Sequence, residues 1–169
     1  MASRRSSHDP RRAATAALTI LANAGIEHTV HTFESGTDNF GEVAAAHLTH
    51  LHPGQIMKTL VVSSGKELAI CVIPVDHHLS LKKAAAAWGV KSCEMADPHR
   101  AQLATGYIPG GITAIGTKRR LPVFLEATAC EWEVIAVSGG KRGVDVELTP
   151  ADYLAVASAT PADLIDATR

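Results

Sequence analysis

The stretch QIMKTLVVSSGKELAICVIPV, residues 55–75, constrains the fold more than any other part of this chain. Two runs rich in β-branched and apolar residues, 56–62 and 68–75, flank the turn sequence Ser63-Ser64-Gly65-Lys66. Runs of this kind joined by a short glycine-containing segment fold back as an antiparallel hairpin. Helical patterns lie on both sides of it. A hairpin embedded among interleaved helices and strands excludes a doubly wound parallel sheet. It predicts an α/β (α+β) domain with a mixed β-sheet flanked by helices.

The punctuation around the hairpin is explicit. In 11–24 the apolar positions Ala14, Ala17, Leu18 and Leu21 share one helical face, and Gly25 stands where a helix stops. Residues 27–33 alternate as a strand, and a second helix begins near Gly41 and ends by Pro53. Ser80 caps a helix over 81–88 with Gly89 as its stop, and 90–94 reads as a short strand. Asp97 followed by Pro98 is a strong helix start. Residues 105–122 hold four glycines and two prolines and read as loop. Strands follow at 123–125, 132–137 and 144–148, and Thr149-Pro150 opens a last helix.

The 169 residues suit one domain, expected over 13–160, with 1–12 as a disordered arm and 161–169 as a tail. Hydrophobic residues make up 46% but aromatics only 4%, so the core rests on Ala, Val, Leu and Ile. The net charge of −1 excludes a strongly basic nucleic-acid coat while leaving local patches, such as Lys118-Arg119-Arg120 and Lys141-Arg142. Three cysteines, Cys71, Cys93 and Cys130, with no CxxC spacing argue against a disulfide scaffold or a thiolate zinc knuckle. No apolar run is long enough to span a bilayer and no secretory signal pattern opens the chain, so the expected compartment is the cytoplasm.

Five features could carry chemistry. The segment VSGGKRGVDVEL, 137–148, places glycines and cations before a strand, but a phosphate loop needs GxxxxGK[ST] and a following helix. A hairpin turn is the favoured reading, with an anion-binding nest as the alternative. Asp145 and Glu147 alternate with Val144, Val146 and Leu148, so both acids face either water or a polar cleft. The histidines of HLTHLH (His47, His50, His52) and the pair His77-His78 lack HExxH and a cysteine partner, and read as surface residues. No GxSxG elbow is present. Cys71 and Cys130 read as inert, while Lys91 beside Cys93 mildly favours its thiolate.

Lys58 sits in an apolar β run, on the face of Ile56 and Leu60. It is either a strand-end lysine that snorkels to water or a cation held at a cleft to grip an oxygen. The glycines of TGYIPGGITAIG let backbone approach a ligand, and free N–H groups there would form an oxyanion hole.

Taken together, NFG at 39–41, MKTL at 57–60, LKKAAAAWGVK at 81–91, EMADPHRAQLATGYIPGGI at 94–112, GTKRRLP at 116–122 and VSGGKRGVDVEL at 137–148 resemble the YbaK family of aminoacyl-tRNA editing domains. The resemblance is to its free-standing Cys-tRNA(Pro) deacylases and covers nearly the whole chain from about residue 13. It implies a mixed, curved sheet with a cleft for the 3′-terminal adenosine and its aminoacyl group. Lys58 then corresponds to the residue most tied to activity, and Gly110 and Gly111 supply backbone contacts near the scissile ester. Phe40, Thr59, Ser138 and Asp145 match substrate-pocket positions, and Phe33 stands where many relatives carry tyrosine. Lys118, Arg119, Arg120, Lys141 and Arg142 are expected to steer the tRNA. The implied reaction removes cysteine from tRNA(Pro) by attack of the substrate's own thiol, with no cofactor and no metal. Prolyl-tRNA synthetase is the expected source of tRNA identity. The alternatives are a deacylase for another small residue such as alanine, and a non-catalytic tRNA- or synthetase-binding module.

Overall fold

A computed structural model describes residues 15–36 and 40–167. The arm expected over 1–12 lies outside the described residues. In chain order the elements are α1 (Ala16–Asn23), β1 (Thr29–Thr32), α2 (Phe40–His47), β2 (Met57–Ser64), β3 (Glu67–Pro74), α3 (Leu81–Trp88), β4 (Glu94–Met95) and α4 (Pro98–Thr105), followed by β5 (Val123–Glu126), β6 (Ile135–Lys141), β7 (Val144–Leu148), α5 (Pro150–Ala157) and β8 (Ala159–Ala162). Short 3-10 turns cover Pro53–Gln55 and Ala127–Glu131.

The caps expected from the sequence form. Ser80 accepts from the Lys83 N–H, Asp97 from Arg100 and Thr149 from Asp152, each satisfying an orphan donor of a first helical turn. The hairpin β2–β3 pairs from Met57 opposite Pro74 to Ser64 opposite Glu67. Ser63 and Ser64 therefore belong to the strand, and the turn is only Gly65-Lys66.

The expected mixed sheet is divided in two. One sheet has the order β1-β7-β6 and the other β4-β2-β3-β5-β8. β3–β5 and β5–β8 run parallel and the remaining pairs antiparallel. The two sheets touch through a bridge between Ile56 and Ala136. β3 is central and buried on both faces. Leu68, Ile70 and Val72 pack toward α1, α4 and α5, and Ala69, Cys71 and Ile73 pack toward Ala84 of α3. Two-sided burial explains why β3 reads as a continuous apolar run and not as an alternation. Small alanines on the helices let them lie close against this sheet.

The carboxyl end departs from expectation. In place of the expected tail over 161–169, β8 runs through Ala162 and Leu164 is fully buried. The Leu164 N–H donates to Oε1 of the buried Glu126 (2.8 Å), whose other oxygen accepts from Thr128 (3.0 Å). β8 carries Pro161 and lacks alternation. It is tolerated because β8 is an edge strand, where a missing N–H costs no ladder bond.

Candidate functional site

Among the described residues, β2 is paired along its outer edge only at its two ends. Ile56, just before it, bridges to Ala136 of β6, and Val62 and Ser63 pair with β4. Between these points the strand edge opens into a cleft of about 360 Å³, within the size range of small-ligand sites. Met57 through Val61 form one wall. Phe40, Gly41 and Ala44 of α2 form a second, Pro109, Gly110 and Ile112 a third, and Ser138 and Asp145 line the floor. Met95, Ala96, Pro98 and Ala101 close the far end.

The walls are mostly apolar, so the few polar groups stand out. Lys58 is half-buried, and loss of hydration pulls its ammonium below the ordinary lysine value, with Asp76 opposing that shift. Asp145 is 8% exposed, and burial pushes its carboxyl up to about 7. It lies opposite Ser138 across the β6–β7 ladder. The Thr59 hydroxyl is buried without a hydrogen-bond partner among the described residues. A buried hydroxyl in that state carries a desolvation cost of about 1–3 kcal/mol.

The two glycine-rich segments meet at this cleft. A Cβ on Gly110 (φ +90°) would lie 2.7 Å from the Phe40 ring, and one on Gly111 would lie 2.8 Å from the Lys141 Cα. Glycine at these two positions permits the aromatic wall and the 109–111 loop to close on the β6–β7 turn. Arg142 locks the arrangement: its Nε donates to the Pro109 carbonyl at 2.7 Å, and its guanidinium sits 5.2 Å from the Phe40 ring centroid. Its guanidinium thus braces the 109–111 loop against the aromatic wall.

The segment 137–143 is a hairpin, the favoured of its two readings. β6 extends to Lys141, with a bulge at Gly139-Gly140 between the pairs Ser138–Asp145 and Lys141–Val144. The strand expected over 132–137 therefore begins later and runs further.

Of the expected site residues, the structure brings Phe40, Lys58, Thr59, Gly110, Ser138 and Asp145 together around one cleft. Gly111 departs from expectation, because its N–H donates to the Ile108 carbonyl at 2.8 Å and is used within the turn. Phe33 does not line the cleft and stacks on His47, ring centroids 4.9 Å apart. Lys118 and Arg120 border a separate surface hollow with Thr117 and Pro122, and Arg119 is exposed beside them. Lys141 is exposed on the β6–β7 turn.

No cysteine lines the cleft. Burial raises the thiols of Cys71, to about 12, and of Cys130, where Glu126 and Glu131 add to it. Burial also raises Cys93, which corrects the expectation that Lys91 favours its thiolate.

One cluster escaped the sequence reading. His31 Nε2 and His50 Nε2 each lie 2.5 Å from the same Glu147 oxygen. Burial alone would raise the Glu147 carboxyl, but the hydrogen bonds and charges of His50 and His31 outweigh it and hold it low. His31 and Glu147 are separated by 116 residues, and only the β1–β7 register brings them together.

Known proteins bear on this geometry. The family model for the aminoacyl-tRNA editing domain matches residues 36–156. A protein of Enterococcus faecalis described as "Putative Cys-tRNA(Pro)/Cys-tRNA(Cys) deacylase EbsC" is 32% identical over 151 residues, covering 89% of this chain and 92% of that one. A solved structure described as "a putative trans-editing enzyme for prolyl tRNA synthetase" superposes with a TM-score of 0.78 at 25% identity, covering 91% of this chain and 99% of that one. Another, of "hypothetical protein APE2540", superposes with a TM-score of 0.79 at 21% identity over 90% of this chain and all (100%) of that one, and speaks to the fold alone. The cleft, its arrangement of Lys58, Gly110 and Asp145, and these likenesses lead to one conclusion: the chain belongs to the aminoacyl-tRNA editing domain family, of the YbaK type.

Proposed function

We propose that this protein removes cysteine mischarged on tRNA(Pro), and that the thiol of the substrate is the nucleophile. The observation that carries this reading is the composition of the cleft: among the described residues no cysteine or histidine lines it, while a half-buried lysine and a buried aspartate do. Ser138 brings a hydroxyl to the lining, but its Oγ accepts from the Gly140 N–H at 3.2 Å and among the described residues no imidazole lines the cleft. An aminoacyl ester is already activated, so positioning and charge stabilisation supply most of the catalysis.

In the proposed reaction the substrate sulfur forms a bond to the ester carbonyl carbon. The bond from that carbon to the terminal ribose oxygen breaks. The thiol proton ends on that oxygen, releasing uncharged tRNA and a cyclic thiolactone. Lys58 anchors the phosphate or ribose end of the terminal nucleotide. The Gly110 N–H polarises the carbonyl, without help from Gly111. Asp145 faces the amino-acid end, where a substrate ammonium would offset the cost of its buried charge. Ser138 offers its hydroxyl to the same substrate, and the buried Thr59 hydroxyl reaches it only after a side-chain shift.

The tRNA-level part of the reading follows from charge. At a net charge of −1, with Lys118, Arg119 and Arg120 away from the cleft lining, phosphate contacts are few and free tRNA binding is weak. Prolyl-tRNA synthetase would then supply tRNA identity in the cytoplasm, with the 118–120 and 141 cations steering the acceptor stem. No helix of the described residues is long and apolar enough to cross a membrane.

A deacylation panel tests the proposal. Cys-tRNA(Pro) should be cleaved much faster than Ser-tRNA(Pro) or Ala-tRNA(Pro), with the thiolactone trapped as product. Equal cleavage of the alanine ester would point to water as nucleophile. Stoichiometric binding without turnover would point to a non-catalytic module.

A further inference from the structure

We propose that His31, His50 and Glu147 form a binding site for one divalent transition-metal ion of the zinc class, outside the cleft. Among the described residues this is the one group of three potential ligands whose donor atoms lie within 4.8 Å of one another. Both imidazoles direct Nε2 at the same carboxylate oxygen, at 2.5 Å each. Two imidazoles and one carboxylate are a donor set that zinc and its neighbours take readily.

The fold preforms the set. His31 on β1 lies diagonally across the β1–β7 ladder from Glu147, whose direct partner is Thr29. His50 comes from the connection between α2 and the 53–55 turn, so an ion would clamp that connection onto the β1–β7 pair. The His31 and His50 rings lie 5.3 Å apart and tilted by 47°, which leaves room for a shared ligand between their edges. Bonds of about 2.0–2.2 Å in tetrahedral geometry place donors about 3.3 Å apart, so Glu147 needs to draw back by about 1 Å or less. The three side chains are 27%, 51% and 15% exposed, so an ion can enter from solvent and water can complete its shell.

None of the three residues lines the cleft, and this site stands apart from the reading of the cleft chemistry. Asp145 nevertheless sits directly opposite His31 in the strand register. The proposed ion would stiffen the strand pair that carries the cleft's buried carboxylate.

The test uses the untagged full chain, stripped with a chelator and then titrated with cobalt(II) chloride and separately with zinc chloride. The expected result is one saturable ion per chain, a cobalt visible spectrum of low coordination number that zinc abolishes, and a zinc-dependent rise in melting temperature. His50→Ala removes a half-exposed ligand, and should weaken the affinity roughly tenfold or more, as should Glu147→Gln. His47→Ala and His52→Ala, on nearby histidines outside the set, should leave it unchanged. Absence of saturable binding would overturn the proposal, and would leave a hydrogen-bonded His–Glu–His contact in its place. Affinity that survives His50→Ala would overturn it equally, by locating the ion elsewhere.

Discussion

Ser138 stands directly opposite Asp145 across the β6–β7 ladder, and both side chains line the cleft beside the open edge of β2. The bulge at Gly139-Gly140 follows immediately, so this pair is the last before the register shifts to Lys141–Val144. The ladder thereby holds Asp145 beside the Ser138 hydroxyl on the cleft floor. On the proposed reaction, Asp145→Asn keeps the shape and loses the charge that meets the substrate ammonium. Charge-assisted hydrogen bonds contribute roughly 1.5–3 kcal/mol, so kcat/KM for Cys-tRNA(Pro) should fall roughly tenfold to hundredfold. Single-turnover deacylation measures it, and an unchanged rate would remove Asp145 from the site.

Gly110 and Phe40 are coupled sterically. A methyl group at position 110 meets the ring at 2.7 Å and also forces a side chain into φ +90°. Gly110→Ala should destabilise by about 1–3 kcal/mol and sharply reduce activity. In a Phe40→Ala background the ring clash disappears and only the backbone strain remains, so the two effects should be non-additive by about 1 kcal/mol. Urea unfolding of the four proteins in this cycle decides it. Additive values would mean that the aromatic wall does not depend on the glycine.

Through its burial, Lys58 makes stability depend on pH. Its folded-state value lies below the ordinary 10.5, so between the lowered value and 10.5 the unfolded chain binds more protons. The burial cost is therefore fully present at neutral pH and disappears as pH rises through that window. Lys58→Met should stabilise the protein at pH 7, with the gain shrinking toward pH 10.5. If the charged ammonium holds the substrate, wild-type kcat/KM falls as pH passes the lowered value. Lys58→Arg stays charged throughout, so whatever activity it retains should lack that basic limb. Activity measured against pH, corrected for spontaneous ester hydrolysis, checks both.

Tyr153 offers a stability test remote from the cleft. It is fully buried and its hydroxyl has no partner among the described residues. Tyr153→Phe deletes an unsatisfied polar atom without opening a large cavity. Stability should rise by roughly 1 kcal/mol, a shift of about 2–4 °C in Tm for a chain of this size. A loss of stability in calorimetry would show that the hydroxyl is satisfied in solution.

Much of this architecture is legible in local sequence, because local physics decides it. Ser80, Asp97 and Thr149 announce helix starts through the same side-chain bonds the structure contains. The β2–β3 hairpin follows from two apolar runs and a glycine. β8 is not legible, because a proline in a four-residue edge strand leaves no alternating pattern and its pairing is wholly tertiary. The same holds for the open edge of β2, which exists only because neighbouring strands stop short of it. Gly111 could be picked out as a permissive backbone position, but which carbonyl its N–H meets depends on the turn it closes. His31 and Glu147 come together through strand register, which no short motif encodes. Phe40, Lys58 and Asp145, by contrast, are found through their segments' resemblance to an editing family, and the fold gathers them around one cleft.

On the proposed function, Lys58 and the cleft it lines drive deacylation with the substrate's thiol as nucleophile. The most direct measurement compares purified wild type and Lys58→Ala on Cys-tRNA(Pro) and Ser-tRNA(Pro), following thiolactone release. Rapid thiolactone formation by wild type is expected, with a loss of roughly a hundredfold or more in the variant and slow cleavage of the serine ester by both. Deacylation by Lys58→Ala at the wild-type rate, or equal cleavage of the cysteine and serine esters by the wild type, would contradict it.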